Sequence, residues 1–371
     1  MNASDFEAEG LYDPASPDAG QRLALLEYLV GLGATLDDMR AAEVDGRLVA
    51  LAGSVVLRGS EPRISTRELA DRAGMPLETV ERVLRAAGLA EADPDVPRFV
   101  ESDVASFEAF KLAADLFGEE VVVQFTRAMG ASIARVAEAA VGMFAINVLG
   151  PMAEAGATLV ERARQGVEGA VTLSTLPQVF QTILAPHLEA ASRRSAVSGS
   201  LDAGYRQAQL AVGFVDLVGF TTRSQELSTI DLAHAVTAFE GTAADIITAH
   251  DGHVVKMIGD EAMFVAVDVA AACRTALDLC TFVSAHPVLT ELRGGLAFGG
   301  LVRSEGDYYG PVVNVAARAV KLAAPGAVVC TTAVRDAVAT PADEGLRFSA
   351  AGAHELRGFD EPVELVAVKR G

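Results

Sequence analysis

The sequence predicts two domains, an all-α domain followed by an α/β domain. From Gln21 to Arg194 the chain is rich in Ala, Leu, Glu and Arg and shows helical periodicity, with Gly and Pro at the breaks. From Tyr205 onward, short apolar, partly β-branched runs alternate with helical segments, which is typical of a sheet covered by helices. The chain of 371 residues is long enough for two domains, each with its own core.

Composition excludes several classes of protein. The formal net charge of −20 and the pI near 4.7 argue against nucleic acid or an anionic membrane as the main partner. The N-terminus lacks the basic and apolar regions of a secretory signal. The longest uncharged apolar run, Ala139–Ala153, is too short to span a bilayer. We therefore expect a cytoplasmic protein without a transmembrane segment.

The cysteines indicate neither a metal site nor an oxidising compartment. Cys273, Cys280 and Cys330 are odd in number and lack metal-binding spacing. Cys273 and Cys280 are seven residues apart in a helical pattern, which predicts one core-facing helix face.

The N-terminal part begins with an acidic stretch. Residues 1–20 contain Pro14 and Pro17 and are expected to form a tail or an arm that is ordered only by contact. Residues 21–194 form the predicted helical domain.

The end of the helical domain is unusually apolar. Ser106–Leu149 is a long helical stretch, expected as two helices, and its end at residues 141–149 is interpreted as core or dimer interface. The alternative is the lining of a pocket for an apolar ligand. A last helix over Pro177–Arg194 precedes a small, polar, glycine-bearing segment, residues 195–204, which predicts the interdomain linker.

Ile64–Leu89 has the pattern of a helix-turn-helix. Ser65 or Thr66 caps the first helix, Gly74 makes the turn, and an apolar face begins the second helix at Leu77. The functional interpretation is DNA recognition. However, the arginines between Ser60 and Ala90 are balanced by carboxylates: Arg63, Arg67, Arg72, Arg82 and Arg85 against Glu61, Glu68, Asp71, Glu78 and Glu81. Phosphate binding needs local positive charge, so we favour a structural helix pair.

Two strand-like runs in the C-terminal domain each deliver an aspartate. Residues 210–221 are apolar up to Asp216 and then turn at Gly219. Residues 253–267 predict two short strands joined by a hairpin turn that contains Asp260. If the sheet brings the two carboxylates together, their repulsion calls for cations, and hard oxygen ligands suit Mg²⁺ or Mn²⁺. Alternatively, Asp216 is a helix cap and Asp260 a turn former.

The segment after Asp216 adds a preference for an anion. The backbone amides of Val218, Gly219, Phe220 and Thr221 lie at a predicted helix start, where an anion is favoured. A metal together with a phosphate is the interpretation that uses all of these features.

The remaining elements predict an α/β sandwich. Ser228–Asp231 fits a capping box and opens a helix to about His250. A further helix covers about Val269–Ala285, and Leu292–Leu301 is a glycine-rich strand that lets another backbone approach closely.

One more helix carries polar groups on one face. Pro311 marks its start, and Asn314 and Arg318, four residues apart, share a side. Lys256 lies within an apolar strand and needs either an edge position or a partner.

Three motifs, in order and spacing, resemble the catalytic domain of class III nucleotidyl cyclases: residues 214–221, 255–264 and 306–318. The resemblance covers residues 205–371 and implies a ferredoxin-like βαββαβ core. The whole chain resembles the soluble actinobacterial cyclases, in which a helical regulatory domain precedes the catalytic one.

The resemblance implies roles for individual residues. Asp216 and Asp260, with Leu217 beside the first, are the metal-binding positions for two Mg²⁺ or Mn²⁺ ions per site. Lys256 and Asp307 are the pair that reads adenine, whereas guanylyl cyclases usually place Glu and a small polar residue or Cys there. A turn-forming role of Asp307 after Gly306 is the alternative.

The resemblance also assigns the groups around the ribose and the phosphates. Asn314 orients the ribose, Arg318 stabilises the transition state at the α-phosphate, and Arg293 binds the triphosphate. Arg357 is a second candidate for the triphosphate.

The sequence therefore predicts an adenylyl cyclase that makes 3′,5′-cyclic AMP and pyrophosphate from ATP in a homodimer with shared sites. The N-terminal domain is expected to modulate it in response to pH or a small apolar ligand, although His187 is the one histidine in that half. The alternatives are a catalytically idle nucleotide or ligand sensor, a helix-turn-helix transcription regulator, and a guanylyl cyclase.

Overall fold

The computed structural model describes residues 1–196, 201–202, 205–284, 289, 291–340 and 344–371. The chain divides into two compact units, Met1–Pro186 and His187–Gly371. Most of the predicted linker at residues 195–204 lies outside the described residues.

The first unit is built from helices and a short two-stranded sheet. Its helices are α1 (Ala3–Ala8), α2 (Ala19–Gly31), α3 (Leu36–Val44), α4 (Leu48–Arg58), α5 (Thr66–Ala73), α6 (Leu77–Ala86), α7 (Val104–Phe117), α8 (Glu119–Phe144), α9 (Gly150–Glu154), α10 (Leu159–Leu173) and α11 (Leu176–Ala196), of which the last continues beyond Pro186. Strands β1 (Arg63–Ser65) and β2 (Pro97–Val100) pair antiparallel. They are too short for their alternation to be read from the sequence.

The acidic N-terminal segment is a packed arm rather than a free tail. Asn2 caps α1 with its side chain, and Phe6 and Leu11 are buried in a core that also contains Leu25 and Leu26. The acidic composition concealed these two apolar anchors.

The helix-turn-helix prediction is confirmed as geometry. Ser65 and Glu68 form a capping box at the start of α5, and Gly74 ends that helix in the left-handed region with φ 62°. The five arginines of the motif bond to groups of the same chain: Arg63 to the carbonyls of Arg58 and Arg98, Arg67 to Asp95, Arg72 to Glu101, Arg82 to Glu119 and Glu120, and Arg85 to Glu91. These internal pairs support the interpretation as a structural helix pair.

The predicted pair of helices after Ser106 is also confirmed, with the break at Gly118, where φ is 92°. From α8 the helix continues through a π-helical turn, Ala145–Leu149, into α9. The resulting helix, Glu119–Glu154, has 36 residues and a mean hydropathy of 1.5 in its most apolar window, enough by length and composition to cross a membrane. The 15-residue run Ala139–Ala153 alone underestimates the length of this apolar helix, because the flanking residues carry few charges and extend the apolar window. None of residues 141–149 is buried, so their interpretation as core is wrong, and their interpretation as a dimer interface stays a prediction.

The second unit is a mixed sheet with helices on both faces. Its strands are β3 (Leu201–Asp202), β4 (Tyr205–Leu217), β5 (His253–Ile258), β6 (Glu261–Ala266), β7 (Leu292–Ser304), β8 (Asp307–Tyr309), β9 (Val328–Thr331), β10 (Leu346–His354) and β11 (Val363–Arg370). Its helices after α11 are α12 (Phe220–Arg223), α13 (Thr229–Ala249), α14 (Val269–Ser284), α15 (Pro311–Leu322) and α16 (Thr332–Ala337). The strand order is β10-β11-β9-β7-β4-β6-β5, with β3 beside β4 and β8 beside β7. Of these pairs only β7 and β9 are parallel among the described residues.

The predicted βαββαβ core is present as β4-α13-β5-β6-α14-β7. Helices α13 and α14 cover one face of the sheet, where Phe239 and Leu279 are fully buried. Helix α15 covers the opposite face through Val312, Ala316 and Val320. The functional side chains described below lie on this second face.

Two backbone features shape the second face. Gly295 of β7 lies directly under α15, where an added Cβ would be 2.2 Å from the backbone nitrogen of Val320. The sequence prediction of a strand that admits another backbone is therefore confirmed. Strand β5 contains a bulge between Val254 and Lys256, so that one extra residue faces β6.

Cys273 and Cys280 are buried, which confirms their interpretation as core residues, and Cys330 is buried as well. Burial raises the pKa of the Cys273 and Cys280 thiols to about 12 and raises the pKa of Cys330 further.

Candidate active site

Three neighbouring strands place a row of charged residues on the face covered by α15. Asp216 on β4 lies opposite Glu261 on β6 and opposite Arg293 on β7. Directly opposed residues project from the same face of an antiparallel pair, so the three side chains form one row. Asp216 is only 3% exposed.

The buried carboxylate of Asp216 is neutralised by two cations. Arg293 donates from Nε (2.8 Å) and Nη2 (2.6 Å) to Oδ2. The Nζ of Lys321, from the last turn of α15, lies 3.0 Å from Oδ1. Both oxygens of this predicted metal ligand therefore have a positively charged partner from the same chain.

The hairpin turn brings Asp260 to the end of the strand that carries Asp216. The amide of Leu217 donates to the carbonyl oxygen of Asp260 at 3.0 Å. Glu261, the next residue, is mostly buried, and its Oε1 atom has no hydrogen-bond partner. Burial raises the pKa of Glu261, with nearby Asp216 and Asp260 acting in the same direction and Lys321 opposing them.

These donors fit a divalent cation. The carboxylates of Asp216 and Asp260 with the carbonyl of Leu217 are hard oxygen ligands, and Mg²⁺ needs only one or two protein carboxylates when substrate phosphates complete its shell. Glu261, whose Oε1 atom has no hydrogen-bond partner among the described residues, adds a further carboxyl oxygen beside this set. The described residues contain no cluster of three or more His, Cys, Asp or Glu side chains in a metal-binding arrangement.

The segment after Asp216 departs in part from its predicted role. Gly219 adopts φ 71° and begins α12, which has only four residues. The amide of Val218 donates to the carbonyl oxygen of Glu291 at 2.8 Å. The Val218 amide is therefore already bonded within the chain. The amides of Gly219, Phe220 and Thr221 remain the candidates for anion binding at the start of α12.

Lys256 and Asp307, 51 residues apart, form an ion pair. Lys256 is on β5 at the edge of the sheet, and Asp307 begins β8 on the hairpin after β7. Asp307 also accepts from the amide of Tyr308 at 2.8 Å. It follows Glu305 and Gly306, both at positive φ, so its place in a turn and its pairing with Lys256 coexist. Asp307 borders a cavity of about 410 Å³.

Helix α15 presents Asn314 and Arg318 differently. Asn314 is exposed, whereas Arg318 is half-buried with its guanidinium 5.2 Å from the ring centroid of Phe359. A Cβ added to Gly358 would be 3.6 Å from Nη2 of Arg318, and the exposed Arg357 precedes Gly358. Arg318 thus contacts the turn between β10 and β11, the turn that also contains Arg357.

The predicted residues therefore form three groups within one chain. Asp216, Asp260, Leu217 and Arg293 lie together, Lys256 pairs with Asp307, and Arg318 contacts Phe359, two residues after Arg357. No contact among the described residues joins Arg318 to Asp216.

Sequence reasoning missed Lys321 and Glu261. Glu261 follows Asp260 directly, and Lys321 lies one helical turn after Arg318. Helical spacing from Arg318 was a readable signal for Lys321. Which charge it would meet depended on the packing of α15 against the sheet.

Comparisons with known proteins cover nearly the whole chain. A family model described as an adenylate cyclase regulatory domain matches residues 4–191, and one described as an adenylate and guanylate cyclase catalytic domain matches residues 204–369. An uncharacterised protein of Mycobacterium tuberculosis is 33% identical over 360 residues, which are 96% of this chain and 92% of the relative.

Several relatives carry names that state an activity. A pH-sensitive adenylate cyclase of Mycobacterium tuberculosis is 32% identical over 364 residues, 95% of this chain and 88% of the relative. An adenylate cyclase of Streptomyces coelicolor is 32% identical over 323 residues, 85% of this chain and 83% of the relative. With both domain models and a carboxylate-rich sheet face in place, this chain belongs to the class III adenylate cyclases of the actinobacterial type, in which a helical regulatory domain precedes the catalytic domain.

Proposed function

We propose that this protein converts ATP to 3′,5′-cyclic AMP and pyrophosphate, with residues 205–371 as the catalytic domain and residues 21–194 as the regulatory domain. The observation that carries the choice of ATP is the pairing of Lys256 with Asp307. An ammonium donates to a ring nitrogen and a carboxylate accepts from an exocyclic amine, which matches the edge of adenine. The names of the two related adenylate cyclases agree with this choice.

In the proposed mechanism, Asp216, Asp260 and the Leu217 carbonyl would hold two Mg²⁺ or Mn²⁺ ions, which supply a lowered pKa for the ribose 3′-hydroxyl and charge neutralisation at the α-phosphate. Arg293, Arg357 and the amides of Gly219 to Thr221 bind the triphosphate.

Two residues of α15 act on the reacting part of the nucleotide. Asn314 orients the ribose, and Arg318 neutralises the charge that develops at the α-phosphate in the transition state. The cation–π contact with Phe359 positions the guanidinium of Arg318, for which the described residues provide no carboxylate ion pair.

A homodimer with shared sites is part of this proposal. It is supported by the contact of Arg318 with Phe359, since no hydrogen bond or ion pair among the described residues links Arg318 to Asp216. In such a dimer the aspartates of one subunit face Lys256, Asp307, Asn314 and Arg318 of the other. A second feature supports dimerisation through the regulatory domains. Large apolar side chains form an exposed stripe along α8: Val121, Phe125, Met129, Ile133, Val136 and Met143. Burial of this stripe against a second copy would remove it from water without a membrane, in agreement with the proposed cytoplasmic location.

The activity is tested by measuring cyclic nucleotide formation by the purified full-length protein with ATP or GTP and with Mg²⁺ or Mn²⁺. We expect cyclic AMP as the main product. Nucleotide binding without turnover under all four conditions would instead indicate a catalytically idle sensor.

Exchange of the base-reading pair is expected to change nucleotide preference. The Lys256→Glu/Asp307→Ser double variant should lower the ratio of kcat/KM for ATP to that for GTP by about 100-fold, because a site built to hydrogen-bond one base leaves groups unpaired with the other. The control is Asp251→Asn, which changes an exposed turn carboxylate of the same unit. An unchanged ratio of kcat/KM for ATP to that for GTP would reject the proposed role of Lys256 and Asp307 in reading the base.

Acid is expected to destabilise the catalytic unit through His253. Burial lowers the pKa of His253 to about 4, and nearby Arg194, His187 and Arg303 act in the same direction. The pKa of His253 is lower in the folded state than in the unfolded state. Above pH 6.5 His253 is neutral in both states, so it does not lower the free energy of unfolding there. Stability falls as pH drops from 6.5 toward 4.

For the wild type we expect a loss of about 1–2 kcal/mol in the free energy of unfolding between pH 7 and pH 5. His253→Gln should remove most of this loss, whereas His187→Gln, at an exposed position, should not. Urea unfolding at the two pH values measures it. An equal loss in wild type and His253→Gln would place the pH response elsewhere, including in the regulatory domain, where pH or a small apolar ligand is the proposed effector.

A further inference from the structure

Lys321 lies at the metal-binding face of Asp216. Its Nζ atom is 3.0 Å from Oδ1 of Asp216 and 3.4 Å from Oε2 of Glu261. The other oxygen of Asp216, Oδ2, receives both hydrogen bonds from Arg293. Oδ1 is therefore the oxygen through which Asp216 can reach a metal ion without breaking the contacts of Arg293.

The two cations differ in how firmly they are held. Arg293 projects from β7, the strand next to Asp216, and also donates to the carbonyl oxygen of Lys321 at 3.2 Å. Lys321 is in the last turn of α15, and its side chain is 48% exposed. A lysine side chain with this exposure has a flexible stem and can move into solvent, whereas a planar guanidinium with several bonds is fixed. Lys321 is thus the removable cation.

We propose that Lys321 is a tethered competitor of the divalent metal ion: its ammonium neutralises Asp216 and Glu261 in the nucleotide-free protein and is displaced when the metal binds. This inference rests on the proposed metal role of Asp216. Lys321 lowers the apparent metal affinity of the free enzyme and makes metal occupancy depend on the arrival of the nucleotide, whose phosphates supply further ligands.

The direction of the expected effect separates competition from a structural role. Loss of a residue that only supports the site would weaken metal binding. Loss of a competing charge tightens it. Replacement of Lys321 by Met or Gln is expected to increase the Mn²⁺ affinity of the nucleotide-free, full-length protein about three- to tenfold, the range for a partly screened charge next to a buried carboxylate.

The test is a Mn²⁺ titration followed by electron paramagnetic resonance of the free ion, with melting temperatures in EDTA to confirm folding of each variant. Lys321→Met and Lys321→Gln are the test variants, and Lys321→Arg retains the charge. Lys369→Met is the control, since it removes an exposed lysine from β11. The Mn²⁺ affinities of Lys321→Arg and Lys369→Met are expected to stay within about twofold of that of the wild type, the size of change expected for surface charges.

Two outcomes would overturn the inference, and they differ. Unchanged or weaker Mn²⁺ binding in both folded Lys321 variants, while Asp216→Asn abolishes binding in the wild-type background, would reject competition and retain the metal site. Mn²⁺ binding that survives Asp216→Asn would reject the metal role of Asp216 itself, and the role of Lys321 with it.

Discussion

A mixture of the Asp260→Ala and Arg318→Ala variants is expected to show about one quarter of the wild-type activity, although each variant alone is nearly inactive. Asp260 is beside the end of β4, and Arg318 lies against Phe359 at the turn between β10 and β11. If each site takes its aspartates from one subunit and its arginine from the other, a heterodimer contains one site with both defects and one with neither.

The magnitude follows from two estimates. Removing one donor that acts on transition-state charge lowers kcat by about 10²–10³. Random association at equal amounts makes about half of the dimers mixed, and each of these has one intact site of two. Co-expression with two different affinity tags and tandem purification isolates the mixed dimer, whose activity should then be about half that of the wild type.

The matched control mixes Arg318→Ala with Asn314→Ala. Both residues belong to α15, so every site in the mixed dimer retains one defect and no recovery is expected. Recovery in this control, or none in the Asp260 mixture, would contradict shared sites.

Replacement of Gly295 by Ala is expected to lower the free energy of unfolding of the catalytic unit by about 3 kcal/mol or more, because overpacking against a fixed backbone cannot relax locally. An added Cβ would be 2.2 Å from the nitrogen of Val320, 2.7 Å from its Cα and 2.8 Å from the carbonyl oxygen of Ala316. All three atoms belong to the backbone of α15, so the whole helix must move away from the sheet.

The displacement should also abolish most of the activity, because α15 carries Asn314 and Arg318. Gly241→Ala is the matched control. Gly241 is exposed within α13, nothing lies within 4 Å of its added Cβ, and Ala there should be neutral or stabilising. Thermal unfolding and cyclic AMP formation measure the two effects. A Gly295→Ala variant as stable as the wild type would mean that β7 and α15 do not pack through their backbones.

The catalytic unit was largely predictable because its elements have local signals. Ser228 caps α13, Gly259 and Asp260 form the hairpin turn, and Pro311 starts α15, as expected from short-range turn and cap chemistry. The packing of the N-terminal arm was harder to predict from the sequence, because it depends on two buried residues, Phe6 and Leu11, within an otherwise acidic segment.

The contacts within the site could not be read in the same way. The bond that removes the Val218 amide from the helix start comes from Glu291, 73 residues later in the chain. The meeting of Lys321 with Asp216 depends on how closely α15 approaches the sheet at Gly295. Such pairs are set by tertiary packing, which a single sequence does not encode in any local pattern.

The bulge in β5 decides on which side of the sheet Lys256 lies. Val254 is opposite Phe264 and packs with α13 and α14, whereas Lys256 is opposite Met263 and belongs to the α15 face. In a regular strand, residues two apart project to the same side, so without the extra residue Lys256 would point away from Asp307. The proposed reading of adenine by Lys256 and Asp307 would therefore depend on the backbone of β5 as well as on the two side chains. If Lys and Asp were introduced at these two positions in a cyclase whose strand is regular at this point, the two side chains would lie on opposite sides of the sheet and would not form the ion pair.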